Sequence, residues 1–206
     1  MSNLHGPFRY DHVGSFLRPA EVKNAREQFK AGRITAEQLK TVEDEEITKL
    51  VAKQKAAGFR AITDGEFRRA YWHLDFMWGF NGIKEIELDH GYFFHGEETT
   101  HGSAEVTGKI SGENHPFVEH FKFIKQFEDE NTAARQTMPA PAQLLAELFR
   151  EDNGKKTRAV YPDDEQLIND IAAAYRTVIR ELYDAGCRNI QFDDCTWGMF
   201  CDTRYW

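Results

Sequence analysis

The stretch AGFRAITDGEFRR, residues 57–69, decides the fold class because its first half occurs again later in the chain. The later copy is AGCRNIQFDD, residues 185–194, and the two copies share Ala, Gly, Arg and Ile at matching positions. In each copy a glycine ends a long helical pattern, an apolar run follows, and acidic residues come next. Those acids are Asp64 and Glu66 in the first copy, and Asp193 and Asp194 in the second. This internal repeat predicts that one helix–strand unit occurs twice. The alternative is that Ala-Gly-x-Arg is merely a common connection between a helix and a strand.

Helical and strand-like segments alternate along most of the chain, which predicts an α/β fold with parallel strands and right-handed crossovers. A long helix is predicted over residues 34–58, where Thr35 and Gln38 form a capping-box pattern. Another is predicted from about 163 to 185, because its apolar residues recur at steps of three and four. The segment 151–164 between helical patterns is interpreted as a loop within one domain. In such a sheet, chemistry is expected at the carboxyl ends of the strands.

Several short apolar segments are candidates for parallel strands of one sheet. They are residues 11–15, 59–64, 104–110, 133–138 and 188–193. A complete (β/α)8 barrel takes about 250 residues, so a chain of 206 residues that follows this fold reaches the fifth strand. The prediction is one incomplete TIM-barrel domain over residues 1–206, with a β-hairpin excursion at about 82–113. The second strand of that hairpin is a candidate to return to the main sheet.

Composition limits the classes of function. Hydrophobic residues make up 41% of the chain and charged residues 29%, as in soluble globular proteins. The net charge of -8 argues against nucleic-acid binding, which calls for a basic face. No apolar run approaches the ~18 residues that suggest a membrane helix, and the first ten residues lack the apolar region of a signal peptide. Three cysteines without framework spacing suggest reduced thiols, so a cytoplasmic protein is expected.

Three further clusters have structural explanations that compete with functional ones. The acidic run at 43–46 is expected to be a solvated helix face. The histidines of the 90–120 region lie five or more residues apart, so surface positions are favoured over a zinc site. These histidines are His90, His95, His101, His115 and His120. The aromatic segment 67–80 suits either core packing or the stacking of a ring-containing ligand.

Three motifs, in this order and at this spacing, resemble the carboxyl-terminal barrel of cobalamin-independent methionine synthase, and most of all its shorter single-barrel relatives. They are HVGSFLRP (12–19), TDGEFRR (63–69) and AGCRNIQFDD (185–194), and the likeness covers about residues 10–200. In that family the first strand ends in a Gly-Ser-Phe turn, and the second in Gly-Glu followed by an arginine. The fifth ends in Asp-Glu-Pro, where this chain has Asp193-Asp194-Cys195.

The resemblance implies an amino-acid site at the ends of three strands. Ser15, with the backbone of Val13 and Gly14, would hold the substrate carboxylate, because N–H groups at a strand-to-helix turn suit an anion. Glu66 and Asp193 would bind the substrate ammonium group through charge-assisted hydrogen bonds.

Each assignment has a structural alternative. Ser15 is otherwise a turn or capping residue. Asp194 is expected to be a helix N-cap, or an acid that contacts other site residues, rather than a residue that binds the ligand directly. Glu66 and Asp193 are otherwise members of structural ion pairs. The candidate partners of those pairs are Arg60 and Arg68.

What the resemblance implies about function is transfer of a methyl group to the thiol of homocysteine, a step of methionine biosynthesis. A reduced folate or another methyl donor would supply the group, and zinc would bind the thiol as a thiolate. The family's zinc ligands are a His-x-Cys pair, a glutamate and a second cysteine on strands six to eight, and these motifs do not occur in this chain. The family pattern has a tryptophan where this chain has Glu147, and a proline where it has Cys195, so the donor stays open.

Three readings of function follow. The first is a zinc-dependent homocysteine methyltransferase that is inactive until the later strands are supplied. The second is a non-catalytic truncated remnant, or an amino-acid-binding module, that needs a partner chain. The third is another barrel enzyme, such as a decarboxylase of related fold. A five-strand sheet would expose strand edges and apolar surface, so self-association or a partner carrying the remainder of the barrel is expected.

Overall fold

The structure is a computed structural model that describes residues 6, 8, 12–201 and 203. The chain divides into two compact units, which are described separately. Unit 1 combines Met1–Trp72, His120–Thr137 and Gly186–Gln191, and unit 2 combines His73–Glu119, Met138–Ala185 and Phe192–Trp206.

The described part of the chain is a mixture of helices and short strands, as expected of an α/β fold. The helices are α1 (Ala20–Lys30), α2 (Ala36–Ala56), α3 (Leu74–Met77), α4 (Pro116–Lys125), α5 (Pro141–Leu148), α6 (Asn153–Val160) and α7 (Asp164–Asp184). The strands are β1 (Ala61–Ile62), β2 (Asn81–Glu87), β3 (Phe93–Phe94), β4 (Glu97–Glu98), β5 (Gly102–Ser111), β6 (Ala133–Ala134), β7 (Gln136–Pro139) and β8 (Ile190–Asp193). A 3₁₀ helix, η1, covers Thr196–Cys201. No helix in the described part of the chain is long and apolar enough to cross a membrane.

The two long predicted helices are confirmed. The amide of Gln38 donates to the Thr35 hydroxyl at 3.3 Å, and the Thr35 amide donates to the Gln38 side chain at 2.8 Å, which completes the capping box that starts α2. Gly58 follows this helix with a φ of 84°, a left-handed conformation that glycine adopts without strain. Helix α7 buries one apolar face, which includes Ile171, Val178 and Leu182.

Parallel pairing is found on both sides of the segment 133–139. β1 pairs with β6 in parallel, with Ala61 opposite Ala133. β7 pairs with β8, and their hydrogen bonds advance together along both strands, from Gln136 N–H to Asn189 O and from Ala140 N–H to Asp193 O. Among the described residues the strands form four two-stranded sheets, and none of these closes on itself.

Two of the predicted parallel strands are corrected. Asp11 lies outside the described residues, and residues 12–15 are irregular rather than extended, because Gly14 turns the chain with a φ of 83°. Residues 104–110 belong to β5, which pairs antiparallel with β2 and not with the parallel strands. The hairpin at 82–113 is therefore present, but its second strand stays in unit 2, where it packs against α6 and α7.

Buried polar contacts hold one segment whose helix was not predicted. The segment 151–164, predicted as a loop, contains α6, because Asn153 and Thr157 are buried and bonded to Ser103 Oγ and Leu148 O respectively. A glycine in the first turn lowers the helix propensity of this segment, so the sequence pattern did not reveal the helix.

The acidic run at 43–46 is solvated only in part, because Glu45 is exposed and two of its neighbours are buried. Glu43 and Glu46 are 7% and 8% exposed. Glu43 lies 3.5 Å from the guanidinium of Arg26 and 3.3 Å from that of Arg68, which also pairs with Asp44. Burial of a carboxylate is tolerated because these arginines neutralise it.

Each unit has its own apolar core. In unit 1, α1, α2 and β1 enclose a core whose buried side chains include Val22, Ile47, Val51 and Ile62. In unit 2, aromatic rings gather around Phe76, whose ring centre lies 4.4–5.5 Å from those of its neighbours. Those neighbours are Phe80, His115, Phe117 and Tyr175. This part of the aromatic segment therefore serves core packing.

Within unit 2 the buried carboxylate of Glu147, on α5, is hydrogen-bonded to residues of the hairpin excursion. Glu147 is fully buried and accepts hydrogen bonds from the Tyr92 hydroxyl at 2.9 Å and the Ser103 hydroxyl at 2.6 Å. Arg150 lies over the Tyr92 ring at 3.8 Å and donates to the His90 carbonyl at 3.1 Å. Burial and the charge of Glu147 raise the pKa of Tyr92, so its hydroxyl remains a donor. We name residues 88–101 the excursion tip.

Removing the Tyr92 hydroxyl should loosen the excursion tip. A hydrogen bond to a charged group contributes about 1.5–3 kcal/mol, so Tyr92→Phe is expected to speed amide hydrogen exchange of residues 88–101 about tenfold or more. Tyr183→Phe is the matched control, because this tyrosine lies on α7 in the same unit and is 52% exposed. Equal exchange rates for the tip in both variants would show that the Glu147 contact does not hold it.

Candidate functional site

Two adjacent residues with left-handed backbone form the turn after β1. Gly65 has a φ of 63° and Glu66 a φ of 60°. Side chains of the preceding residues hold the turn: the Gly65 amide donates to the Thr63 hydroxyl at 3.1 Å, and the Glu66 amide donates to Asp64 Oδ1 at 2.8 Å. A non-glycine residue with such a φ costs of order 1–3 kcal/mol and is concentrated at functional sites. The Glu66 turn, residues 63–69, is therefore the strongest site signal in unit 1.

The Glu66 carboxylate is held inside unit 1 by an ion pair. Glu66 and Arg69 are each 1% exposed, and Oε1 of Glu66 lies 3.4 Å from the Arg69 guanidinium and 3.4 Å from the Thr137 hydroxyl. Arg69 also donates to the Thr137 carbonyl at 2.7 Å and to the Trp72 carbonyl at 3.0 Å. These contacts give the buried carboxylate a positively charged partner and a hydrogen-bond donor. The sequence alternative named Arg60 and Arg68 as candidate partners, but the ion pair is with Arg69.

The turn that carries Ser15 packs directly against the Glu66 turn. The Phe16 amide donates to the Gly65 carbonyl at 3.2 Å, and the Arg18 guanidinium donates to the Glu66 carbonyl at 3.1 Å. Ser15 is exposed, and the neighbouring Val13 is 69% exposed. The structure thus brings four of the predicted site residues, Val13, Gly14, Ser15 and Glu66, onto two contacting turns of unit 1.

Asp193 lies in unit 2, at the last position of β8. It is partly buried, and its carbonyl accepts the Ala140 amide at 2.9 Å. The next residue, Asp194, accepts from the Thr196 amide at 2.9 Å and the Thr196 hydroxyl at 2.6 Å, so it caps η1 as predicted. Partial burial, with Asp193 and Asp194 nearby, raises the pKa of Cys195, which disfavours its thiolate.

The histidines do not form a metal site in the described part of the chain, where no group of three or more His, Cys, Asp or Glu side chains is placed to hold an ion. His115 is buried rather than on the surface: its Nδ1 accepts the Phe117 amide at 3.2 Å, so its Nε2 donates to the Phe76 carbonyl at 2.9 Å. His120 is partly buried in unit 1.

His120 is a titratable group that sequence reasoning left at the surface. Burial lowers its pKa to about 4, and the positive charges of Arg68, Arg69 and Lys40 act in the same direction, while Asp64 opposes them. His120 follows the buried Phe117 by three residues on α4. This helical spacing is the sequence signal that could have indicated its burial.

Comparison with known proteins identifies relatives over nearly the whole chain. The family model described as the catalytic domain of cobalamin-independent synthase matches residues 10–198. The YxjH protein of Bacillus subtilis is 41% identical over 198 residues, which are 96% of this chain and 51% of that protein. The 5-methyltetrahydropteroyltriglutamate–homocysteine methyltransferase of Thermosynechococcus vestitus is 29% identical over 187 residues, which are 88% of this chain and 22% of that enzyme.

Solved structures show the same relationship. A Listeria monocytogenes protein, solved as a candidate vitamin-B12 independent methionine synthase, is 40% identical with a TM-score of 0.77, over 97% of this chain and 56% of that one. A B12-independent methionine synthase from Shewanella, solved in complex with selenomethionine, is 22% identical with a TM-score of 0.63, and it shows the likeness of fold. The chain spans about half the length of the curated Bacillus relatives that it matches.

Adding a methyl group at Gly65 should destabilise unit 1. A Cβ there would overlap with Leu50 Cδ2 and lie 3.3 Å from Phe16, and the left-handed φ adds strain. Gly65→Ala is expected to lower the free energy of unfolding by about 2–4 kcal/mol, measured by urea titration. Gly32→Ala is the matched control, because Gly32 has a φ of 66° and nothing within 4 Å of the added carbon. Equal losses in the two variants would mean that the Leu50 contact does not constrain the turn.

The low pKa of His120 should make stability fall as the solution is acidified. The folded-state pKa of about 4 lies below the ordinary histidine value of 6.5, so between these values the unfolded chain binds a proton that the folded chain does not. Its contribution is complete above pH 6.5 and is lost as pH falls toward 4, amounting to about 1–2 kcal/mol between pH 7 and 5.

His120→Gln should remove this share of the pH dependence, measured as urea midpoints at pH 7 and pH 5. His95→Gln, at an exposed position of the excursion tip, should keep it. A pH dependence that is unchanged in His120→Gln would contradict the assignment.

Proposed function

The chain belongs to the catalytic-domain family of the cobalamin-independent methionine synthases, and on that premise we propose that it forms the amino-acid-binding part of a homocysteine S-methyltransferase of methionine biosynthesis. The observation that carries the proposal is the packing of the exposed Ser15 turn against the strained Glu66 turn. The family match from residue 10 to residue 198 includes both turns and Asp193.

The proposed ligand is a small zwitterion, homocysteine or methionine. Ser15 and the backbone amides of Val13 and Gly14 would bind its carboxylate, since hydroxyl and N–H donors suit an anion. Glu66 and Asp193 would bind its ammonium group. Arg69 pairs with the Glu66 carboxylate and hydrogen bonds hold the turn that carries it, so little ordering is needed when the ligand binds.

In the proposed reaction the sulfur of homocysteine forms a bond to the methyl carbon while the bond from that carbon to the donor breaks. The electron pair of the broken bond stays with the donor, and the thiol proton passes to the departing donor or to solvent. The donor is a reduced folate or another methyl carrier. Glu147, at the family's tryptophan position, is fully buried and bonded to Tyr92 and Ser103 within unit 2, so it offers no aromatic face to a pterin. This observation favours a donor other than folate.

Zinc, which the family implies, does not fit the residues that the structure describes. They contain no group of three or more side chains of metal-ligand type placed to hold an ion, so no step is assigned through a metal. We propose that the polypeptide corresponding to the other half of the relatives supplies the remaining chemistry, and that this chain alone is inactive. In the same proposal the described strands are part of a single (β/α)8 barrel domain in the cytoplasm.

The second candidate function is a non-catalytic amino-acid-binding module that works with a partner chain. Its support is the length comparison, because the chain corresponds to 51% of the Bacillus YxjH protein. Both functions use the same site, and methyl transfer in the presence of the complementary half distinguishes them.

Calorimetric titration of the full chain with L-homocysteine and with L-methionine tests the shared site. Binding is expected, and Glu66→Gln should weaken it about tenfold or more, because a charge-assisted hydrogen bond contributes about 1.5–3 kcal/mol. Glu43→Gln is the matched control, since Glu43 is also a buried, arginine-paired acid of unit 1.

A second pair of variants tests the two acids at the end of β8, Asp193 and Asp194. Asp193→Asn should weaken binding, whereas Asp194→Asn should not, because asparagine also caps a helix. An affinity that is the same in Glu66→Gln and Glu43→Gln, or no binding of either amino acid, would refute the proposed site.

A further inference from the structure

An arginine from another helix holds the backbone that follows Glu66. Arg26 of α1 donates from one guanidinium nitrogen to the Phe67 carbonyl at 2.6 Å and from a second nitrogen to the Arg69 carbonyl. Phe67 and Arg69 are 3% and 1% exposed, and buried carbonyls need a hydrogen-bond partner. The planar guanidinium suits this task because it presents several N–H donors in a fixed fork.

The Glu66 turn needs such contacts because its backbone is strained. Gly65 and Glu66 both have a left-handed φ, and a non-glycine residue keeps this conformation only where the surrounding structure holds it. The Gly65 carbonyl accepts a hydrogen bond from the Phe16 amide, and the Glu66 carbonyl accepts one from Arg18. The two bonds from Arg26 hold the end of the turn that follows Glu66, so both ends are fixed.

Helix packing and charge set the orientation of Arg26. Val22 and Ala25 of α1 are buried, and α1 packs against α2. On α2, Glu43 lies 3.5 Å from the guanidinium of Arg26 and 3.3 Å from that of Arg68. The carboxylate balances the charge of Arg26, and the main-chain carbonyls of the turn use the fork of donors. All of these residues belong to unit 1.

We propose that Arg26 is a positioning residue of the amino-acid site. By bonding the two carbonyls after Glu66, it keeps the Glu66 carboxylate in the direction that accepts the ammonium group of the ligand. The inference rests on the proposed function, in which Glu66 binds that group. A purely structural ion pair with Glu43 would need only the positive charge at position 26, whereas positioning needs the two separate N–H donors.

Calorimetric titration of the full chain with L-methionine tests this role. Arg26→Met keeps an unbranched apolar side chain and removes the donors, so it should weaken binding about tenfold. Arg26→Lys keeps the charge beside Glu43 but replaces the fork by a single ammonium group, so it should weaken binding about threefold or more. Unchanged affinity in Arg26→Lys would show that the pairing with Glu43 is the whole role of Arg26.

A double-mutant cycle separates positioning from a general loss of stability. If Arg26 acts through Glu66, adding Arg26→Met to a chain that already carries Glu66→Gln should weaken binding by less than about twofold further. Independent effects would add in free energy and give a total loss of about 100-fold.

Amide hydrogen exchange of the ligand-free chain gives a second readout. Arg26→Met should speed the exchange of residues 64–69 about tenfold, and more than it speeds exchange within α2. Lys55→Met is the matched control and should change neither this exchange nor the affinity. The Lys55 ammonium also donates to a main-chain carbonyl of unit 1, that of Phe127, and pairs with Asp129 at 2.6 Å. Circular dichroism establishes that each variant is folded.

Three outcomes would overturn the inference. They are unchanged methionine binding in both Arg26 variants, additive losses in the cycle, and equal exchange of residues 64–69 in Arg26→Met and Lys55→Met. Failure of the proposed function has a different signature, because the unaltered chain would then bind neither amino acid. In that case the role of Arg26 in binding fails with it, and the exchange measurement still decides whether Arg26 holds the turn.

Discussion

A glutamate that is enclosed in unit 1 and paired with an arginine is the constraint on which the candidate site depends. A carboxylate with 1% exposure needs a positive partner and hydrogen-bond donors, and Glu66 has Arg69 and Thr137. The backbone must adopt a left-handed conformation at both Gly65 and Glu66 to place it there. Leu50 of α2 fills the space beside Gly65 where any other residue would carry a Cβ. Helix α2, the turn and the ion pair therefore fit together only with glycine at position 65.

Comparison with the other deeply buried glutamate shows why strain is the more informative signal. Glu147 in unit 2 is equally buried, but it lies on the regular helix α5 and receives hydrogen bonds from Tyr92 and Ser103. Its contacts explain how the excursion tip is attached, and its backbone carries no strain. Glu66 has both burial and a backbone conformation that costs energy. A buried polar side chain by itself indicates only that its hydrogen bonds are satisfied. A buried side chain on a strained backbone indicates a residue whose orientation is fixed for function.

The features that sequence predicted are those set by neighbours along the chain. The capping box of Thr35, the apolar face of α7 and the glycine that ends α2 are local patterns, and the structure contains all of them. The same holds for the acids that follow β1 and β8, because strand and turn are adjacent in sequence.

The features that sequence missed depend on residues far apart in the chain. Glu43 is buried because Arg26 and Arg68 reach it, and α6 forms in a segment of low propensity because Asn153 bonds to Ser103. The sheet partner of β5 was missed for the same reason, since a strand pattern reports burial and not which strand lies alongside.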